Sequence, residues 1–246
     1  MLITSSQNSV LKKLRALYKD KKLRRECGVF IAEGVNLVKD IPNRFGAEEL
    51  FIKQSKEEEL SFIAEKFEID PYIVKDELFD AVSDTVTPSG VIAVIKKPIT
   101  ENKVCGDTVL LLDGISDAGN LGTIIRTAAA KGIETVVCAS CTDAYSPKAV
   151  RAAMAGTFRT SIVETDVRGA LDMLRDYSIL GLDMSGNCIY GYKKEGKIAI
   201  AIGNEAHGLS EEVRKNVSIF LSIPMKNGVE SLNAAVSASI AMYLIR

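Results

Sequence analysis

The chain has a single histidine, His207, and only five cysteines among its 246 residues. So few soft ligands leave little from which to build a tetrahedral zinc site, and no metal is expected. The cysteines, Cys27, Cys105, Cys138, Cys141 and Cys188, are odd in number and scattered, which suits a reducing compartment better than a disulfide scaffold. No signal-peptide core separates Met1 from Lys12-Lys13. The longest charge-free apolar stretch, Ser231 to Ile245, falls short of the roughly 18 to 20 residues that a membrane span needs. We therefore expect a cytoplasmic protein without a membrane partner, with that stretch as a buried helix. Excess charge is lacking too: 31 Lys+Arg face 32 Asp+Glu, so no global field attracts nucleic acid, although a local basic patch stays open. Repeats and low-complexity tracts are absent. What remains, with 47% hydrophobic residues, is the composition of an ordinary globular protein.

Residues 8 to 25 place Val10, Leu11, Leu14, Leu17 and Tyr18 at helical spacing. From Lys12 to Arg25 there are eight basic residues and one acidic residue, Asp20, a net +7. Such a stretch is either a solvated helix face or a phosphate-contacting patch, in which Lys12, Lys13, Lys22 and Arg24 are the candidate contacts. Short β-branched or aromatic runs follow at 29–32, 50–52, 72–74 and 91–95, alternating with polar helical stretches, so residues 1–97 read as a small α/β domain. The polar, proline-bearing stretch from Lys96 to Lys103 marks a linker, set at 98–106.

From 107 to 246 the alternation strengthens, with strand-like runs at 108–113, 133–138, 160–164, 178–182, 197–202 and 217–223. Val109-Leu110-Leu111-Leu112 and Ile198-Ala199-Ile200-Ala201-Ile202 are apolar without alternation, the pattern of strands covered on both faces. A mostly parallel, doubly wound sheet follows, with ligands expected beyond the C-terminal strand ends.

Three polar clusters follow predicted strands. The first runs from Asp113 to Ala128, with a helix expected to start near Asn120 or Leu121, so that Asn120, Thr123 and Arg126 occupy its early turns, where amide donors favour an anion. Its glycines do not follow the dinucleotide G-x-G-x-x-G spacing, so a nucleotide-dependent oxidoreductase is disfavoured. The second is Gly203-Asn204-Glu205-Ala206-His207-Gly208-Leu209, where two glycines bracket a carboxylate in a tight turn. The third leads from Ile223-Pro224-Met225 through Glu230-Ser231-Leu232-Asn233 into a helix of small residues. His207 reads as a loop-surface residue, and Cys138-x-x-Cys141 as thiols outside any redox fold.

Together, Asn120-x-Gly122-x-x-x-Arg126, Gly203-Asn204-Glu205-x-x-Gly208-Leu209 and Ile223-Pro224-Met225 with Glu230-Ser231-Leu232-Asn233 resemble the three motifs of the SpoU (TrmH-like) RNA 2′-O-ribose methyltransferases of the SPOUT superfamily. Ser146 to Ala153 resembles the family's segment between motifs 1 and 2, with Lys148 and Arg151 as further candidate RNA contacts. Asn8 through Glu33-Gly34 is similar to its N-terminal RNA-binding domain, itself like a small ribosomal protein. Ala118 and Ala234 stand where many members carry Pro and Val, and neither change removes a functional group.

The resemblance implies a deep trefoil knot in the C-terminal domain, S-adenosylmethionine as cofactor, a homodimer, and ribosomal RNA as the leading substrate. Transfer RNA or a catalytically silent RNA-binding role are the alternatives. By resemblance, Gly203, Ile223 and Leu232, with Ile202 and Met225 beside them, hold the adenosyl group. Arg126 is the catalytic arginine, Asn120, Ser231 and Asn233 position it and the ribose, and Glu205 orders the arginine or its own loop.

Overall fold

The computed structural model describes residues 1–98, 103–227 and 231–245. Residues 99–102 of the expected linker and Glu230 of the third cluster lie outside these. The chain divides into two compact units, Met1–Ile99 with Tyr145–Arg151, and Thr100–Ala144 with Ala152–Arg246. The first unit thus takes in a segment that the sequence reading placed in the second domain.

In the first unit, helices α1 (Ser9–Lys19), α2 (Lys21–Cys27), α3 (Val35–Lys39), α4 (Ser61–Phe67) and α5 (Asp76–Val82) accompany strands β1 (Leu2–Ile3), β2 (Val29–Glu33), β3 (Ala47–Lys53), β4 (Tyr72–Val74) and β5 (Val91–Lys96). The strands form a mixed sheet in the order β1-β4-β3-β5-β2, with β4 parallel to β1 and β3 and β5 antiparallel to β3 and β2. The single helical stretch expected over 8–25 is two helices. Asp20 ends α1 in an extended conformation, and its carboxylate accepts from the Lys22 and Leu23 amides, so one residue closes one helix and caps the next. Leu11, Leu14 and Leu17 of α1 are fully buried against Val29, Ile31, Phe51 and Phe79.

The captured segment has a physical anchor. The Tyr145 ring packs at a tilt with its centroid 5.3 Å from that of Phe30, and the Lys97 ammonium lies 4.0 Å over the Tyr145 ring. Arg151 donates to Asp84 at 2.7 Å and lies 3.6 Å from Glu33, whose side chain is only 2% exposed. Tyr18 (2.6 Å) and Thr85 (2.9 Å) also donate their hydroxyls to Glu33, as does Ser83. Burial, then the Glu33 charge, pushes the Tyr18 phenol far above its ordinary range. Arg151, expected as an RNA contact, thus has its guanidinium on an internal carboxylate pair. The expectation that Arg24 is an RNA contact is corrected: it is 5% exposed and donates to the Leu17 and Tyr18 carbonyls at the end of α1.

The second unit holds β6 (Thr108–Asp113), β7 (Thr135–Ala139), β8 (Ser161–Thr165), β9 (Ser178–Cys188), β10 (Ile198–Gly203) and β11 (Ile219–Ser222), all parallel, in the order β11-β9-β10-β6-β7-β8. Its helices are α6 (Ala118–Lys131), α8 (Gly156–Arg159), α9 (Val167–Met173), α10 (Glu211–Asn216) and α11 (Ala234–Leu244), while α7 (Pro147–Ala153) carries most of the captured segment. The two uninterrupted apolar runs are the central neighbours β6 and β10, with Val109 to Leu112 and Ile198 to Ala201 fully buried. The chain runs outward from β6 through β7 and β8, then returns to build β9, β10 and β11 on the other side. The order therefore switches between β6 and β10. Among the described residues, no helix is long and apolar enough to cross a membrane, and no cluster of His, Cys, Asp or Glu could hold a metal ion.

One irregularity was not foreseen. Strand β9 pairs with β11 at Leu180 and Gly181, and again at Asn187 and Cys188, while β11 advances only from Phe220 to Leu221. The intervening 182–186 is a wide bulge thrown out from the sheet. It closes because Gly186 returns against the neighbouring backbone, where a Cβ would stand 2.5 Å from the Phe220 carbonyl carbon.

Candidate active site

The turn after β6 is built first. The buried Asp113 carboxylate accepts from the Ser210 amide at 2.6 Å, tying the end of β6 to the start of α10. Asp117 caps α6 by accepting from the Asn120 amide at 2.8 Å. The helix therefore begins at Ala118, slightly earlier than the sequence suggested, and Asn120 sits in its first turn.

The loop after β10 folds tightly back on itself. Asn204 and Gly208 exchange two backbone hydrogen bonds of 2.9 Å, and a Cβ on Gly203 would lie 2.2 Å from the Gly208 carbonyl carbon. Only glycine permits that return. The Asn204 amide donates to the Gly114 carbonyl at 2.7 Å, and its oxygen accepts from the Ala206 and His207 amides. The loop thus leans on the turn after β6 and projects Glu205 toward α6.

Three motifs meet through side chains. Glu205 accepts from Asn120 Nδ2 at 2.9 Å and from Ser116 Oγ at 3.1 Å, and Asn120 Oδ1 accepts from Asn233 Nδ2 at 3.0 Å. Asn233 also caps α11 through the Ala235 and Val236 amides. The result is a continuous chain, Ser116–Glu205–Asn120–Asn233, beyond the C-terminal ends of β6 and β10. Burial works to raise the Glu205 carboxyl, but the hydrogen bonds led by Asn120 outweigh it and hold the group below its ordinary range. Arg126 is exposed on α6 and has no hydrogen-bond or ion-pair partner among the described residues. His207 is exposed, with only its backbone engaged.

Beside this chain lies a cavity of about 130 Å³. Of the residues expected on the cofactor side, Ile223, Met225 and Leu232 line it, with Ser231, expected beside the ribose, and Leu182, Asp183 and Met184 from the β9 bulge. Ile202 and Gly203 do not line it. Ile202 is 3% exposed in the sheet core, and Gly203 sits at the strand end. Ser116 and Asp183, which the sequence did not single out, stand in this arrangement as well. Asp183-x-Ser185 just past a strand was the available signal for the second.

In the first unit, Lys12, Lys13 and Lys22 are exposed. Lys13 pairs with Glu49 at 2.9 Å, which raises its ammonium pKa, and Lys22 lies 3.7 Å from Glu26. Lys148 is exposed on α7.

A parallel, switch-point α/β unit with this cleft, joined to a small mixed α/β unit, defines a two-domain ligand-binding class. Its family is specific: residues 107–243 match the model of the SpoU rRNA Methylase family, and residues 8–93 match the MRM3-like substrate binding domain. The chain belongs to the SpoU rRNA methylase family. It is 31% identical, over 99% of its own length and 98% of the relative's, to the 23S rRNA (guanosine(2553)-2'-O)-methyltransferase RlmP of Bacillus subtilis strain 168. It superposes on an AdoMet-bound rRNA methyltransferase from Sinorhizobium meliloti with TM-score 0.86 and 25% identity, covering 99% and 96% of the two chains. The SpoU methyltransferase AviRb from Streptomyces viridochromogenes shares the fold at TM-score 0.85 and 24% identity, covering 96% and 97%.

Proposed function

We propose that this protein methylates a ribose 2′-hydroxyl of ribosomal RNA, using S-adenosylmethionine, in the cytoplasm. The hydrogen-bonded meeting of Asn120, Glu205 and Asn233 beside the cavity carries the reading, because it brings all three motif loops to one place. The lining fits the cofactor: apolar side chains suit a flat purine, and the few polar groups, Ser231, Ser237 and Asp183, can meet its hydrogen-bonding periphery. When bound, the cofactor supplies an electrophilic methyl group on a sulfonium.

The chain's own residues then orient and stabilise. A guanidinium stays protonated, so Arg126 is a poor base. It binds the phosphate beside the target ribose bidentately and stabilises the developing alkoxide, while the hydroxyl proton passes to that phosphate or to water. Asn120, Ser231 and Asn233 position the ribose, and Glu205 holds Asn120. The exposed basic residues of α1 and α2, with Lys148, supply sequence-independent phosphate contacts. The pairing of α11 with α6 and β10, and its row of small residues, supports a knotted C-terminal segment. The exposed Val236 and Tyr243 on the same helix support a homodimer.

The test is transfer of label from radiolabelled S-adenosylmethionine to RNA from a strain lacking the protein, with the product mapped. Label on a ribose of ribosomal RNA supports the reading. Label on transfer RNA corrects the substrate, and RNA retention without label makes the protein a binding module.

A further inference from the structure

The β9 bulge carries a carboxylate into the cavity wall that no motif accounts for. Asp183 lines the cavity among Leu182, Met184, Leu221 and Ile223. Its Oδ1 accepts from the Ser185 amide at 2.9 Å and the Ser185 hydroxyl at 2.6 Å, and its Oδ2 accepts from Arg214 at 2.7 Å. Arg214 is itself held, its guanidinium 4.8 Å over the Phe220 ring. Ser185, then Arg214, hold the carboxyl down to about 2, so it is ionised at every physiological pH.

A carboxylate offers about four acceptor positions. Three are filled, leaving one on Oδ2 of a residue that lines the cavity. Arg214 already balances the charge, so the pair is a weak seat for a further cation and a strong acceptor for a neutral donor. The neutral donors of an adenosyl group nearest in kind are the ribose hydroxyls, which carboxylates bind in other nucleotide-binding α/β folds. We propose that Asp183 accepts a hydrogen bond from a ribose hydroxyl of the S-adenosylmethionine cofactor, and that the bulge at 182–186 exists to present it. The proposal rests on the cofactor reading above and adds a binding residue to it.

Calorimetry with S-adenosylhomocysteine and its 2′-deoxy and 3′-deoxy analogues tests this without turnover. The wild-type protein is expected to bind the parent about tenfold more tightly than the analogue lacking the contacted hydroxyl. In Asp183→Asn that preference is expected to shrink to within about twofold, as the interaction cycle requires. Asp183→Ser, shorter and neutral, serves as the second variant, with the same expectation. Equal wild-type affinity for all three ligands overturns the proposal whether or not either variant folds. So does a variant that keeps the hydroxyl preference, or one that loses affinity for S-adenosylmethionine alone, which marks a sulfonium contact. A wild-type protein that binds neither S-adenosylmethionine nor these ligands overturns the cofactor reading instead.

Discussion

Arg151→Met separates an internal ion pair from an RNA contact. In the first unit the Arg151 guanidinium lies 3.6 Å from the Glu33 carboxylate and 2.7 Å from that of Asp84. At an effective dielectric of about 20, the Glu33 contact alone is worth about 4–5 kcal/mol of attraction. Desolvation of the guanidinium, 26% exposed, offsets much of it. The Asp84 carboxylate, 54% exposed, adds little. Tyr18, Ser83 and Thr85 still solvate Glu33 after the change, so the net cost is about 2–3 kcal/mol, below that of a bare buried charge. For a chain of this size that lowers Tm by roughly 5–10 °C. Adding Glu33→Gln to Arg151→Met removes the stranded charge and is expected to recover about half of the loss. Thermal unfolding of the four proteins measures the coupling, and RNA titrations at several salt concentrations run alongside. A single variant melting within about 1 °C of wild type refutes the reasoning. So does unchanged stability with the salt slope of RNA binding reduced by about one, since that outcome returns Arg151 to the phosphate backbone.

Glu205→Gln turns one acceptor oxygen into a donor facing Asn120 or Ser116, and is expected to lower single-turnover methyl transfer about a hundredfold with cofactor and RNA Kd values near wild type. Near-native transfer would leave Glu205 a loop residue only. Arg126→Lys keeps the charge but not the bidentate fork, so the rate of transfer is expected to fall at least tenfold in the same assay, and unchanged turnover with unchanged RNA affinity removes that role. The depressed Asp183 pKa, about 2 against an ordinary 3.8, gives roughly 2 kcal/mol of stability that is fully present above pH 4 and lost as pH falls through 2. Acid titrations of wild type and Asp183→Asn should therefore diverge above pH 4 and converge near pH 2. Charge reversal at Lys12 and Lys21, both exposed, is expected to weaken RNA binding and flatten its salt dependence while leaving cofactor affinity unchanged, as read by filter binding.

The parallel sheet was legible because β6 and β10 are buried on both faces, which removes the alternation an exposed face imposes. The first two motif loops were legible because each directly follows such a strand, while the third follows the partly buried edge strand β11. Less could be read where one residue serves two neighbours. Asp20 ends α1 and caps α2, so a continuous apolar spacing from Val10 to Tyr18 hides a helix break. The β9 bulge depends on the register of β11, some thirty residues away, and no local pattern encodes it.

The fold also redistributes the charge that the sequence concentrates at the start of the chain. Counting along the sequence gave a net +7 between Lys12 and Arg25, as if every cation there faced solvent. In the folded unit Arg24 is buried on helix-end carbonyls, Arg15 donates to the Ser6 carbonyl, Lys13 is held by Glu49, and Lys22 has Glu26 nearby. Lys12, Lys19, Lys21 and Arg25 remain exposed without an ion pair among the described residues. Each phosphate neutralised contributes about 0.7 to 0.9 to the logarithmic salt slope, so if the proposed phosphate contacts lie on this face, a slope near three is expected from it rather than six or seven. On the proposed reading, selectivity for one ribose then comes from the shape of the RNA and from the Asn120–Glu205–Asn233 cleft, where geometry, not charge count, decides which hydroxyl is presented.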